Sequence, residues 1–129
     1  MESNALTDQH FSKNERLCNK VIIDRLFERG SEEVQSRYLF PFKIFYIYDP
    51  TATAKLPQVL FSVSKRGFKR AVDRNLLKRR CREAYRLHKS ILVANPSAPA
   101  PSYIAFVYIA KEKANYSVIE KAMKKLLVF

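Results

Sequence analysis

A chain of 129 residues holds one domain with a modest core, and a 47% apolar, 12% aromatic composition excludes global disorder. Two glycines, Gly30 and Gly67, are too few for the glycine-rich phosphate loops of nucleotide-binding enzymes. Twenty-four Lys and Arg against twelve Asp and Glu give a net charge of +12, whose self-repulsion favours an anionic partner, either nucleic acid or an anionic membrane.

The opening "MESNALTDQH" has neither the basic start nor the apolar run of a secretory signal. Residues 1–14 read as a flexible segment ahead of a single domain spanning 15–129. Ser12 and Glu15 stand at capping-box spacing. From Leu17 to Arg29 the apolar residues Val21, Ile22, Ile23, Leu26 and Phe27 recur at helical intervals, with Gly30 as the expected stop. "LFPFKIFYIY" (39–48) is aromatic and β-branched and ends at the turn signal "DP", so it reads as a strand. After "TATAKLP", the alternating "QVLFSVS" (58–64) gives a second strand, expected to pair with the first as an antiparallel hairpin. A long basic helix follows over 72–92, then the proline-rich loop "ANPSAPAPS". "YIAFVYIA" (103–110) is a third strand, apolar enough to be buried on both faces, and "NYSVIEKAMKKLLVF" closes the chain as an amphipathic helix.

The expected fold is therefore α+β, a single-domain sandwich in the order α-β-β-α-β-α, with its sheet covered on one face. The second strand, long helix and third strand form a β-α-β unit with a parallel pair, right-handed by default. "YIAFVYIA" is far shorter than the roughly 20 residues of a membrane span, which leaves nucleic acid as the anionic partner and no membrane. Cys18 and Cys81 lack CxxC spacing and read as unpaired thiols in a reducing, cytoplasmic setting.

"RGFKRAVDRNLLKRRCREAYR" (66–86) carries the charge: nine Lys or Arg against Asp73 and Glu83. At 100° per residue, Arg74, Asn75, Lys78, Arg79, Arg82, Arg86 and Lys89 fall within an arc of about 140°. Leu77, Cys81, Ala84, His88, Ile91 and Leu92 fall between about 260 and 360° from Arg74, with Tyr85 at about 20°, and form the core-facing side. Arg74, Lys78, Arg82 and Arg86 succeed one another at i, i+4, where like charges cost a few tenths of a kcal/mol per pair. A polyanion lying along the row accounts for that arrangement better than a solvated face does. Lys65, Arg66, Lys69 and Arg70 add cations before the helix, whose first amides suit phosphate. The rings Phe40, Phe42, Phe45, Tyr46 and Tyr48 on one strand are core material for the most part, with one or two available to stack on single-stranded bases.

"SVSKRGFKRAVDRNLLKRRCREAYR" resembles the signature segment of the bacterial ribonuclease P protein subunit, through Val63, Ser64, Lys65, Arg66, Ala71, Val72, Arg74, Asn75, Lys78, Arg79, Arg82, Glu83, Ala84 and Arg86. "ERLCNKVIIDRLFERG" is similar to that family's opening helix, and the likeness runs from about Phe11 to Phe129. The resemblance implies a left-handed β-α-β crossover in place of the default. It also implies an accessory subunit of a ribonucleoprotein endoribonuclease that removes the 5′ leader of precursor tRNA, one protein per catalytic RNA. The chemistry would belong to that RNA and its magnesium ions, with no metal and no catalytic group held by this chain. RNA contacts are implied at Arg74, Asn75, Lys78, Arg79 and Arg82, with Lys65, Arg66 and Arg86 beside them. A cleft for the single-stranded leader is implied at Ile23, Phe27, Phe45, Ser62 and Ser64.

Three positions depart from the family pattern. Leu76 replaces a usual Arg, Ile23 replaces a usual aromatic, and the "KRGFKRAV" turn is one residue longer than is common, which displaces Gly67. Charge and fold alone would equally permit a ribosomal or other structural RNA-binding protein. A self-sufficient enzyme finds no support, since His10 and His88 have no ligand spacing and no carboxylate cluster is apparent. A helix-turn-helix DNA binder fits poorly, because strands flank the basic helix.

Overall fold

Alternation along one strand divides the protein into two layers. Phe42, Ile44 and Tyr46 are buried against one set of elements, while Phe45 and Ile47 pack against another. The computed structural model describes residues 13–52, 56–94 and 97–129. A 3-10 turn at Lys13–Glu15 leads into helix α1 (Lys20–Leu26), then strands β1 (Gln35–Leu39), β2 (Phe42–Ile47) and β3 (Gln58–Val63). Helix α2 (Ala71–His88) runs into a second 3-10 turn (Lys89–Val93), followed by β4 (Tyr103–Tyr108) and α3 (Tyr116–Leu126).

The α+β class is as expected, with one strand more than the sequence suggested. Gln35–Leu39 reads as polar and irregular because it is an edge strand whose residues are largely exposed. It is held by pairing with β2 across the Phe40–Pro41 turn, in a register that sets Tyr38 opposite Lys43 and Ser36 opposite Phe45. The hairpin expected between residues 39–48 and 58–64 does not form. The sheet order is β1-β2-β4-β3, so β4 lies between them, antiparallel to β2 and parallel to β3. That central position accounts for the unbroken apolarity of β4, where Ile104, Ala105 and Phe106 are all buried.

Helices α2 and α3 cover one sheet face. Leu77, Cys81, Ala84 and Tyr85 from α2 and Ile119, Ala122, Met123 and Leu126 from α3 join the strands in the main core. At its centre Phe106 stacks on Phe61 (5.3 Å between centroids) and meets the edges of Phe42 and Tyr85. Arg37 of β1 donates to the Leu126 and Val128 carbonyls (3.1 and 2.8 Å), satisfying acceptors at the C-terminal end of α3.

The other sheet face is only partly covered, by α1. This helix is shorter than the expected 17–29, because the Asn19 side chain caps it by accepting from the Val21 and Ile22 amides. Leu17 therefore stays extended, and its amide donates to the Val59 carbonyl on the free edge of β3 (3.0 Å). Phe27, not Gly30, closes the helix; Gly30 adopts φ +74° in the following turn, a conformation that L side chains rarely take. The Ser12–Glu15 capping box lies partly outside the described residues.

The basic helix also ends earlier than expected. The chain tightens into 3-10 geometry at Lys89, and that residue is buried where the N-terminal 3-10 turn packs against the end of α2. There its ammonium donates to both oxygens of Glu15 (2.8 and 3.0 Å). Among the described residues, no helix is long and apolar enough to cross a membrane.

The two thiols are unlike. Cys18 is exposed, whereas Cys81 is 1% exposed on the core side of α2, and burial pushes its thiol up to about 12. A thiol-reactive dye at pH 8 is expected to label one cysteine in the native protein and two in denaturant. Labelling of both at native rates would contradict the burial of the helix's apolar face.

Candidate nucleic-acid interface

The cationic face of α2 survives folding with two losses. Asn75, Arg79 and Arg82 are exposed, and Lys78 is half-buried beside them. Among the described residues, none of Lys78, Arg79 or Arg82 pairs with a carboxylate, because both acids of the helix are engaged elsewhere. Asp73 binds Lys113 (3.1 Å), and Glu83 binds Arg86 (2.7 Å). Arg86 therefore leaves the unneutralised row. Its hydrogen bond also holds the Glu83 carboxyl below the usual range. Lys89 is lost to the interior.

Arg74 has a different part from its neighbours. Its guanidinium donates to the Phe68 and Lys69 carbonyls (2.7 and 2.9 Å), so it braces the turn that leads into α2. In that turn the Ser64 hydroxyl accepts from the Arg66 amide and buried Phe68 anchors the chain, leaving Lys65, Arg66, Lys69 and Arg70 exposed. No side chain caps the first turn of α2, so its amides face the same cationic surroundings.

Beside this face lies a groove of about 400 Å³ between α2 and the β3 edge. Lys78, Arg82 and Arg16 edge it, over a floor that includes Leu17, Val59 and Phe61. Sequence reasoning missed Arg16, which is remote from the basic run and arrives here through its bridge to Val59.

A second concavity, of about 440 Å³, opens on the other sheet face where α1 ends. Phe27 and Phe45 meet edge to face there (5.4 Å), with the Lys43 ammonium 5.3 Å from the Phe45 centroid and both Arg29 and Glu28 at the border. Of the five rings noted on residues 40–48, Phe42 and Tyr46 belong to the main core, and only Phe45 faces α1. Ile23 packs in the small cluster under α1. Ser62 shares this face through the cross-sheet row Tyr38–Lys43–Val107–Ser62. Ser64 lies past the end of β3, with its hydroxyl committed to the turn. The structure thus brings Ile23, Phe27 and Phe45 together, sets Ser62 on the same face, and leaves Ser64 apart. Lys43, Arg29 and Tyr38 escaped the sequence reading, although period-2 alternation from Phe45 would have found Lys43.

A clamp holds α1 over the sheet. Arg25 makes a two-pronged contact with Glu33 (2.7 and 3.2 Å) and approaches Asp49 (3.8 Å). Hydrogen bonding to Arg25 depresses the Glu33 carboxyl, while hydrogen bonds from Thr51, foremost, depress that of Asp49.

The family model described as Ribonuclease P matches residues 11–128. A ribonuclease P protein component of Porphyromonas gingivalis is 35% identical over 118 residues, covering 91% of this chain and 83% of the relative. One from Chlorobium phaeobacteroides is 33% identical over 126 residues, covering 89% and 84%. The solved Staphylococcus aureus RNase P protein has the same fold, with a TM-score of 0.67 at 20% identity over 88% of this chain and 92% of that one. With a family match spanning nearly the whole described fold, this chain belongs to the ribonuclease P protein component family.

Proposed function

We propose that the two surfaces divide the work of a ribonucleoprotein that removes the 5′ leader from precursor tRNA. The α2 face, with Lys65, Arg66, Asn75, Lys78, Arg79 and Arg82, binds the phosphates of a catalytic RNA, one protein per RNA. The Phe27–Phe45 cleft holds the single-stranded leader by stacking and by the cations at its border. The observation that carries this reading is the unneutralised row Lys78, Arg79 and Arg82, set on a different side of the molecule from an aromatic cleft.

The bond-breaking chemistry falls to the RNA and its magnesium ions, in the cytoplasm. Among the described residues, no three His, Cys, Asp or Glu side chains converge. Both carboxylates of α2 are already in ion pairs, so the residues of the cationic face do not fit a protein-held magnesium ion. The chain supplies positioning and charge neutralisation instead.

Reconstitution tests this directly. The protein alone should leave precursor tRNA intact, and adding it to the catalytic RNA at low magnesium should raise turnover. Phe27→Ala should lower the preference for leader-bearing over mature tRNA about tenfold, the worth of one base stacked on a ring. An unchanged preference in that variant would remove the cleft from the mechanism.

A further inference from the structure

The β1–β2 turn presents Phe40 with 55% of its surface exposed, on the side of the sheet away from the cleft. With Leu39 it faces Val118, Lys121, Ala122 and Lys125 of α3 across a groove of about 180 Å³. The one carboxylate of α3, Glu120, is 2.8 Å from His88. Lys121 and Lys125, one helical turn apart, have no carboxylate partner among the described residues. They form a cationic rim over an apolar floor sized for a single flat ring.

This groove is continuous with the cleft by way of the hairpin. On the α1 side of the sheet, Tyr38 is 64% exposed and stands directly across from Lys43, whose ammonium lies over Phe45. Rings and cations therefore alternate from Phe27 and Phe45, past Lys43 and Tyr38, round Phe40 to Lys121 and Lys125. Neither β1 nor β2 contains an acidic residue. Phe45 and Pro41 are four steps apart along the strand, a span of about 13 Å at strand rise. That distance is about four nucleotides at stacked spacing. A duplex has no ring free to enter such a groove, whereas a single strand offers one base and one phosphate at every step.

We infer that leader nucleotides upstream of those in the cleft wrap the β1–β2 turn, stacking on Tyr38 and Phe40 and placing a phosphate between Lys121 and Lys125. This inference rests on the leader reading of the Phe27–Phe45 cleft. It makes leader length a determinant of affinity.

The test compares affinities of the reconstituted protein–RNA complex for precursor tRNAs with a short leader and with leaders about four or more nucleotides longer. The wild-type protein should bind the longer leaders about tenfold more tightly. Phe40→Ala combined with Lys121→Ala and Lys125→Ala should erase that gain while leaving the short-leader affinity unchanged. All three side chains are exposed, so the thermal midpoint should hold and serves as the folding control. Equal weakening at every length would assign the surface to the catalytic RNA and overturn the proposal, as would wild-type length dependence in the variant. Phe27→Ala, run in parallel, separates the two levels. If it abolishes leader preference while the triple variant behaves as wild type, only the wrapped path fails. If it changes nothing, the cleft reading itself fails.

Discussion

Replacing Lys78, Arg79 and Arg82 together by alanine is expected to lower RNA affinity about 10²–10³-fold at physiological salt, taking up to tenfold per charge-assisted contact. The dependence of log affinity on log salt should flatten by about 2 to 3, because each lost phosphate contact removes about 0.7–0.9 from the slope. The fold should be unaffected. None of the three side chains has a carboxylate partner among the described residues, and alanine relieves the Lys78–Arg82 repulsion while favouring helix. Filter binding over a salt series, with circular dichroism as control, separates lost charge from lost structure. Unaltered affinity and slope would remove α2 as the RNA face. Arg74→Ala is a poorer probe, since it also unties the carbonyls of residues 68 and 69.

Lys89→Ala is expected to cost about 3 kcal/mol of stability, within the range for removing one partner of a buried ion pair. Lys89 is 4% and Glu15 13% exposed at the side chain, so the surviving carboxylate would be left largely desolvated. For a domain of this size the midpoint should fall by about 10 °C. The pair ties the N-terminal 3-10 turn to the end of α2, and the Leu17–Val59 hydrogen bond lies two residues beyond it. Hydrogen exchange at the Leu17 amide should therefore quicken in the variant as the segment that walls the α2 groove loosens. The double variant Lys89→Met with Glu15→Leu should recover most of the stability, since apolar groups of similar size often replace such a pair at little cost. Failure of the double variant to recover would mean that packing, not the charge pair, holds the segment.

Much of this architecture was legible in the residues because it repeats. The 3.6-residue pattern of α2 assigned Leu77, Cys81, Ala84 and Tyr85 to the core, and all four are buried. What escaped depended on contacts between distant parts of the chain. Gln35–Leu39 forms a strand through its partner, with little apolar signal of its own. The pairing of β2 with β4 in place of β3 is a choice among three apolar strands that local pattern does not rank. Lys89 misled because a wheel describes one helix alone: the N-terminal turn carrying Glu15, 74 residues away in the chain, covers the end of α2. At the candidate site, a helical wheel finds the charges of α2 but not Arg16, Lys43 or Tyr38, which reach their places by strand pairing.

The central position of β4 bears on how the molecule is made. Two strands synthesised early, β2 and β3, acquire their shared neighbour only when Tyr103–Tyr108 has emerged, and α3 follows still later. Until then both strands present unsatisfied backbone edges, an invitation to mispairing. A nascent polypeptide ending short of β4 thus lacks the middle of its sheet. Folding of the sheet therefore waits for β4 to emerge, leaving a window in which the edges of β2 and β3 stay open.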